Sequence, residues 1–330
     1  MILVTGATGF IGSHLVPRLL AHGEKVRVLV RRTNAFDNTP VEVVRGDLLT
    51  VDKLPQALSD IDTVIHLAGA TKVLRTADYY AGNVQATENL ARAIVSANAT
   101  RQRPITTVHV SSLAAIGPSL DGAPVTEDSP PHPVSHYGKS KLEGERILRE
   151  LLPDAVIVRP PAVYGPRDTD VFEILKSINQ GLVVQVAGAD GQSVERWFSV
   201  IHVFDLADAI IAAACEPRAH GRAYFLAHPV AASWKELTGI AAHIMGRQPR
   251  FVTIPASAAN AIGYCAELWA QLTRKPVIVS RDKIAELRCA NWVCDTRRAQ
   301  NDLGFVAPTN INDGLANTLA WYREAGWLKY

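Results

Sequence analysis

The stretch Thr5-Gly6-Ala7-Thr8-Gly9-Phe10-Ile11-Gly12 constrains the chain more than any other, because of where it stands. It follows directly on the apolar run MILV. It leads into IGSHLVPRLLAHG, whose apolar positions recur at helical spacing and which closes at Gly23. A strand, a glycine turn and a helix, in that order, leave a helix N-terminus open at the carboxyl end of a strand. Glycine permits the sharp turn, and its missing side chain lets a phosphate approach the backbone. Free N–H groups and the positive end of the helix dipole then favour an anion. The glycines are spaced GxxGxxG rather than the GxGxxG of many dinucleotide folds. The stretch reads as a pyrophosphate cradle; the alternative is a turn that serves only close helix packing.

The same rhythm continues. KVRVLVR, VEVVRGD, DTVIHLAG, ITTVHVSS and DAVIVRP read as further strands, and LPQALSDI, YYAGNVQATENLARAIVSAN and SKLEGERILRELL as helices. The strands are continuous apolar runs, as expected when helices cover both faces of a sheet. The expected fold class is α/β, a Rossmann-type doubly wound parallel sheet with a smaller mixed C-terminal substrate lobe. After about residue 164 the rhythm breaks, and Pro and Gly become frequent in RPPAVYGP and VAGADG. YFLAH near 224 is compatible with a strand returning to the sheet. Residues 1–163 are therefore expected to form the dinucleotide-binding domain, rejoined by about 200–227. Residues 164–199 and 228–330 would form the lobe. A chain of 330 residues suits one large domain with a smaller appendage.

Several partners are excluded on composition. The formal net charge is +2 with no basic block, so nucleic acid is not expected. Cys215, Cys265, Cys289 and Cys294 form no CxxC pair and show no metal spacing, which reads as reduced thiols in a cytoplasmic protein with no metal site. No signal-peptide pattern opens the sequence, and no run of 18 apolar residues suggests a membrane span.

The end of the second strand bears on cofactor choice. Dinucleotide folds often place an acid there to hold the adenosine ribose diol. This chain has Val30-Arg31-Arg32. A guanidinium is always charged and donates in a fork, which suits a 2′-phosphate. NADP is therefore expected, with NAD as the other option; two solvated surface arginines are the plain alternative. Asp47 could accept from the adenine amino group or merely cap the following helix.

Tyr137 and Lys141 stand four residues apart in PVSHYGKSKLEGERILREL and would share a helix face. A phenol ordinarily titrates near 10, and a nearby ammonium lowers that value, so the pair can be a tuned proton donor. A half-buried Tyr beside a solvated Lys is the bland reading of the same residues.

Taken together, TGATGFIG, GDL at 46–48, HLAG at 66–69, NVQAT at 83–87, VSS at 110–112, YGKSK and RPPAVYGP at 159–166 resemble the extended short-chain dehydrogenase/reductase superfamily, the NAD(P)-dependent epimerase/dehydratase group. IHVFDLADA at 201–209, DLGFVAP and WYREAGWL extend the likeness to the C-terminus. The resemblance implies that Tyr137 is the general acid/base and that Lys141 holds the nicotinamide ribose while lowering the phenol pKa. It implies that Ser112 hydrogen-bonds the substrate oxygen and that Asn83 organises the adjoining helix. Strand alternation alone leaves Ser111 as an alternative donor, although spacing to Gly117 favours Ser112. Cofactor contacts are implied for Gly6, Thr8, Gly9, Phe10, Ile11, Gly12, Arg31, Arg32, Asp47, Leu48, Leu67, Ala68, Gly69, Pro160 and Val163 beside Tyr137 and Lys141. A homodimer through helices matching 84–98 and 139–152 is implied by analogy.

The likeness also narrows the substrate. Nucleotide-sugar members commonly carry an Asn two residues after the Arg-Pro pair, where this chain has Pro161-Ala162. They tend to place a phosphate-binding Arg in a register that falls here on Phe198, with Arg196 nearby. Both departures point to a moderately apolar small molecule and an NADP-dependent carbonyl reductase or alcohol dehydrogenase, similar to dihydroflavonol reductases and 3β-hydroxysteroid dehydrogenase-like proteins. A nucleotide-sugar epimerase or dehydratase and a catalytically silent assembly factor are the alternatives. Phe251, Tyr264, Trp269 and Trp292 are expected to line an apolar pocket or fill a small core. The segment 257–276 reads as a packing helix, with a lid or a peripheral membrane contact as the other options.

Overall fold

The apolar runs become the centre of a single parallel sheet. In the computed structural model, which describes residues 1–32, 35–188, 192–274, 277 and 280–330 (of Gln271 the backbone only), the first half alternates strands and helices. The strands are β1 (Ile2–Thr5), β2 (Val26–Val30), β3 (Glu42–Arg45), β4 (Thr63–His66), β5 (Thr106–Val110) and β6 (Val156–Arg159). The helices are α1 (Gly12–Ala21), α2 (Leu54–Leu58), α3 (Thr76–Tyr80), α4 (Ala86–Asn98) and α5 (His136–Leu151). The chain then runs through β7 (Ala162–Tyr164), α6 (Thr169–Asn179), β8 (Leu182–Val186), β9 (Trp197–Phe198), β10 (Val200–His202), α7 (Val203–Cys215) and β11 (Ala223–Phe225). It ends with β12 (Ala232–Ser233), α8 (Trp234–Ile244), β13 (Arg250–Ile254), α9 (Ala256–Thr273), α10 (Arg281–Leu287), β14 (Asn291–Trp292), α11 (Arg297–Leu303) and α12 (Ile311–Glu324).

Seven strands pair in the order β11-β6-β5-β4-β1-β2-β3, all in parallel. Every residue of β1, β2 and β6 is buried. One face packs on a core shared with α1 and α7, where Leu15, Leu19, Leu206 and Ile210 meet Val4, Val28 and Val158. The other packs on α2 and α4 through Leu54, Leu58, Leu90 and Ile94. The YFLAH strand does return to the sheet, as β11 beside β6. The chain leaves β1 toward β2 and β3, then comes back to the opposite side of β1 as β4. That reversal opens a crevice at the carboxyl ends of β1 and β4, the place where such sheets bind ligands.

Two local departures matter for the site. The helix read over 79–98 is interrupted by a π-helical turn, Ala81–Gln85, with Asn83 at its middle. The helix that carries Tyr137 begins at His136, ahead of SKLEGERILRELL, because Ser135 Oγ accepts from Gly138 N at 3.0 Å and caps it. Outside the sheet the strands pair only in small groups, β10 with β7, β13 with β8, and β12 and β14 on either side of β9.

Candidate active site

The glycine loop closes tightly against the turn after β4. A Cβ on Gly6, whose φ is +74°, would stand 2.6 Å from Ala68 N, and one on Gly12 would stand 2.4 Å from Gly6 O. Neither position accepts a side chain. The open side is different. Helix α1 starts with no side-chain cap and no acid in its first turn. Among the described residues the backbone N–H groups of Phe10, Ile11 and Gly12 have no acceptor. Three unpaired donors at a positive helix end fit the pyrophosphate of a dinucleotide. Thr8 and Gly9 flank them, exposed. Leu67, Ala68 and Gly69 follow β4 on the other wall of the crevice.

Beyond β2, Arg31 and Arg32 are exposed and, among the described residues, have no hydrogen-bond or ion-pair partner. No carboxylate stands between Val30 and Arg32. Asp47, after β3, is half-buried and its Oδ1 accepts from Leu49 N at 3.0 Å, while Leu48 behind it is buried. That bond closes a local turn; the following helix α2 begins only at Leu54, after Lys53, so Asp47 does not cap it.

Ser112, Tyr137, Lys141 and Asn83 converge past the ends of β4 and β5. Asn83 is 1 % exposed. Its amide accepts from Ala70 N at 2.7 Å and donates to Ala70 O at 3.0 Å and to Ser140 Oγ at 2.9 Å. Ser140 Oγ donates in turn to the carbonyl of Tyr137 at 2.7 Å. One buried amide thus fixes the loop after β4 to the first turn of α5. Lys141, also buried, donates to Val110 O at 2.7 Å. Burial draws its pKa down to about 8, with Glu145 pulling the other way. A Cβ on Gly69 would stand 2.8 Å from Asn83 Oδ1, so the glycine makes room for that amide, and Lys141 Nζ lies just beyond, 3.6 Å from the same point.

The Tyr137 phenol does not follow the sequence expectation. Its pKa is pushed up to about 12, by burial first, while the neighbouring Ser112 hydroxyl lowers it in part. Lys141 is turned onto the Val110 carbonyl, and its ammonium is not among the groups that move the phenol. Ser112, half-buried, faces Tyr137, whereas Ser111 is buried on the side of Glu145. Alternation along the extended backbone thus places Ser112 in the crevice.

Sequence reasoning missed the groups that arrive from far along the chain. Asp282 of α10 accepts from the backbone N–H of His136 at 2.6 Å and of Tyr137 at 3.2 Å, and Glu286 accepts from Ser135 Oγ at 2.7 Å. The orphan donors at the start of α5 are thereby satisfied from another helix. Tyr79 lies with its ring 6.0 Å from that of Tyr137. Lys72, in the loop after β4, pairs with Asp170 at the start of α6 across the mouth of the crevice.

Pro160 ends β6 and accepts from Leu113 N at 2.9 Å, and Val163 lies half-buried in β7. Arg196 is buried, and its guanidinium donates to the carbonyls of Leu287, Val194 and Val186 at 2.9, 3.1 and 2.5 Å. Of the four aromatic residues expected in a pocket or core, Phe251, 45 % exposed, lines a cavity with Gln185, Arg196 and Trp234, whereas Tyr264 and Trp269 are exposed by 53 and 64 %. Trp292 alone is half-buried, donating to Glu286 O at 3.1 Å.

A model of the NAD dependent epimerase/dehydratase family matches residues 2–227. The ceramide reductase of Caulobacter vibrioides is 33 % identical, covering 99 % of this chain and 96 % of its own length. The N-acetyl-alpha-D-glucosaminyl-diphospho-ditrans,octacis-undecaprenol 4-epimerase of Escherichia coli O157:H7 is 27 % identical, covering 97 and 94 %. Among solved structures, MoeE5 in complex with UDP-glucuronic acid and NAD superposes with a TM-score of 0.77 at 26 % identity, over 98 and 99 % of the two chains.

Proposed function

The chain belongs to the NAD dependent epimerase/dehydratase family, and from that premise we propose that it is an NADP(H)-dependent reductase of a ketone or aldehyde on a moderately apolar, chain-bearing molecule. The observation that carries the reading is the convergence of Ser112, Tyr137, Lys141 and Asn83 past the ends of β4 and β5, held by the bonds of Asn83 to Ala70 and Ser140 and of Ser140 to the Tyr137 carbonyl. A phenol that holds its proton beside a serine hydroxyl is the donor pair that carbonyl reduction needs.

The bound nicotinamide supplies the hydride to the carbonyl carbon. The chain's residues handle the oxygen. Tyr137 gives its proton as negative charge develops there, and Ser112 Oγ supplies the second donor. Lys141, charged below about pH 8, faces the crevice beside Gly69, where a ribose would lie. Asn83 and Ser140 hold the first turn of α5 so that the phenol keeps its aim. Phe10, Ile11 and Gly12 would take the pyrophosphate, and Arg31, with Arg32 beside it, the 2′-phosphate.

The substrate class rests on the lobe and on kinship. Arg196 is engaged by three backbone carbonyls and has no free face for a substrate phosphate. Ala162 offers no amide at the position where nucleotide-sugar enzymes commonly have one. The ceramide reductase relative, whose name denotes a lipid substrate, favours a carbonyl on a long-chain molecule here.

The test is NADPH oxidation against a panel of long-chain, aryl and alicyclic ketones or aldehydes, run beside UDP- and dTDP-sugars. We expect turnover on the first group and none on the second. Tyr137→Phe should lower kcat about 10²- to 10⁴-fold and leave the NADPH Kd unchanged, because the phenol proton matters in the transition state only. Epimerisation of a sugar nucleotide, or full activity in Tyr137→Phe, would overturn the reading.

A further inference from the structure

Helix α9 is turned inside out for a surface helix. Its inward stripe consists of small residues at helical spacing, Ala259, Gly263 and Ala270, all buried. Its outward stripe carries the large ones. Ile262, Tyr264, Leu268, Trp269 and Leu272 are 50, 53, 44, 64 and 80 % exposed. With 3.6 residues per turn they flank Ala261 and Cys265, so the face directed at solvent is apolar along nearly the whole helix. The contact beneath is close. A Cβ on Gly263 would stand 2.6 Å from Ile284 Cδ1 of α10, and Arg281 bonds Glu267 at 2.8 Å. The plain packing role expected of this segment accounts for the small residues and for Tyr264, whose ring lies 5.6 Å under the Arg281 guanidinium, and leaves Ile262, Leu268, Trp269 and Leu272 without a partner among the described residues.

We propose that the outer face of α9 docks on the surface of an anionic lipid bilayer. Charge identifies the occupant. From 247 to 288 the chain carries seven Arg and Lys against three Asp and Glu. All three acids are engaged within the protein, Glu267 by Arg281, Asp282 by the start of α5, and Glu286 by Lys283 and Ser135. Arg274, exposed, closes α9 at its C-terminus, and the Arg281 guanidinium stands beside the Tyr264 ring. Aliphatic residues beside an indole and a phenol, with arginine at the edge, are what the boundary between headgroups and acyl chains accepts. No helix of the described residues is long and apolar enough to cross a membrane, so α9 would lie in the plane of the surface. Because α10 joins α9 to the N-terminus of α5, the docked face is mechanically continuous with the helix that carries Tyr137.

The experiment is co-sedimentation of the full chain with vesicles of phosphatidylcholine, alone or mixed with phosphatidylglycerol, with light scattering of the chain alone. No substrate or cofactor is present, so the outcome stands apart from the reductase reading. We expect binding to the mixed vesicles, weakened by salt, with a blue shift of tryptophan emission. The triple variant Leu268→Ser, Trp269→Ser, Leu272→Ser should keep its circular dichroism and NADPH affinity and lose at least about tenfold in vesicle binding. Absence of binding by the unmodified chain, or equal binding by the triple variant, overturns the proposal. So does self-association that the triple variant abolishes without any vesicle binding, which would make the face a seat for a second copy.

Discussion

Two buried carboxylates, one in each half of the molecule, behave in opposite ways. Glu145 lies on α5 against the seven-stranded sheet and is fully buried, held by Arg159 through bonds of 2.9 and 2.7 Å. Burial alone would raise its pKa, but the hydrogen bonds and charge of Arg159 outweigh that and leave it lowered. Asp168 caps α6 in the lobe, where Asp170 N and Val171 N bond it at 2.9 and 3.2 Å. Burial dominates there, and its pKa is raised to about 6. A carboxylate with a guanidinium partner stays charged; one with only backbone donors keeps its proton longer. The contrast belongs to these two carboxylates and not to every buried group around them: in the sheet half both ring nitrogens of His109 and Ser111 Oγ are buried without a hydrogen-bond partner among the described residues.

The largest expected effect breaks the sheet's matched pair. Glu145→Ala leaves Arg159 buried and unpaired, which typically costs about 3–5 kcal/mol. Urea unfolding at neutral pH should show it as a lower midpoint at unchanged slope. A loss under about 1 kcal/mol would mean that water, or the Glu127 carbonyl 3.4 Å from the Arg159 guanidinium, suffices in place of the pair, and the contrast with the lobe would fail.

The same contrast decides what could be read from sequence. In the sheet half, strand, turn and helix follow one another within a few residues, so Gly6, Gly9 and Gly12 announce their own surroundings. Tyr137 and Lys141 share a helix face by spacing alone. Where local geometry turned on a single cap, as at Ser135, the start of α5 shifted by a few residues without moving the site. The lobe's contributions are not local. Asp282 meets the start of α5 across 145 residues of chain and Glu286 across 151. No periodicity links them. Arg196 lay two residues from the position searched for a phosphate ligand, yet its engagement by three carbonyls depends on the ends of two other segments. Tyr264 and Trp269 looked like pocket lining because sequence reports size and polarity but not which side of a helix meets the core. The phenol of Tyr137 shows a further limit. Spacing put an ammonium near it, but burial decided its pKa, and burial belongs to the whole fold.

A second, smaller effect sharpens the comparison through pH. The pKa of Asp168 is raised in the folded protein, from an ordinary 3.8 to about 6, so the native state binds more protons than the unfolded state between those values. Stability from this group is present below about pH 4 and is lost as pH rises through about 6. Glu145, lowered on folding, works in the opposite sense, and its contribution is lost on acidification. Asp168→Asn cannot ionise and keeps a side-chain oxygen for the cap. It should gain on the unmodified chain between pH 4 and 7, by up to about 3 kcal/mol at about 1.4 kcal/mol per pKa unit. Parallel denaturation curves at the two pH values give the difference directly. An unchanged difference would place Asp168 with Glu145, as a satisfied carboxylate.

The smallest expected effect lies at the edge of the sheet half, where matching is left to the ligand. Arg31 and Arg32 follow β2 exposed and, among the described residues, without a partner, which is what a site for an incoming 2′-phosphate requires. A charge-assisted hydrogen bond from Arg31 contributes roughly 1.5–3 kcal/mol. At about 1.4 kcal/mol per tenfold, that is on the order of a tenfold to hundredfold preference for NADPH over NADH. Screening by salt reduces it, so both cofactors are titrated by fluorescence at one fixed ionic strength. The double change Val30→Asp with Arg31→Asn supplies an acceptor for the ribose diol and removes the phosphate's partner, and it should reverse the preference. Val30 is buried and closes β2, so Arg31→Asn alone is the control; it should erase the preference without creating the opposite one. Equal affinities in the unmodified chain, or tighter NADH, would make these arginines ordinary solvated residues.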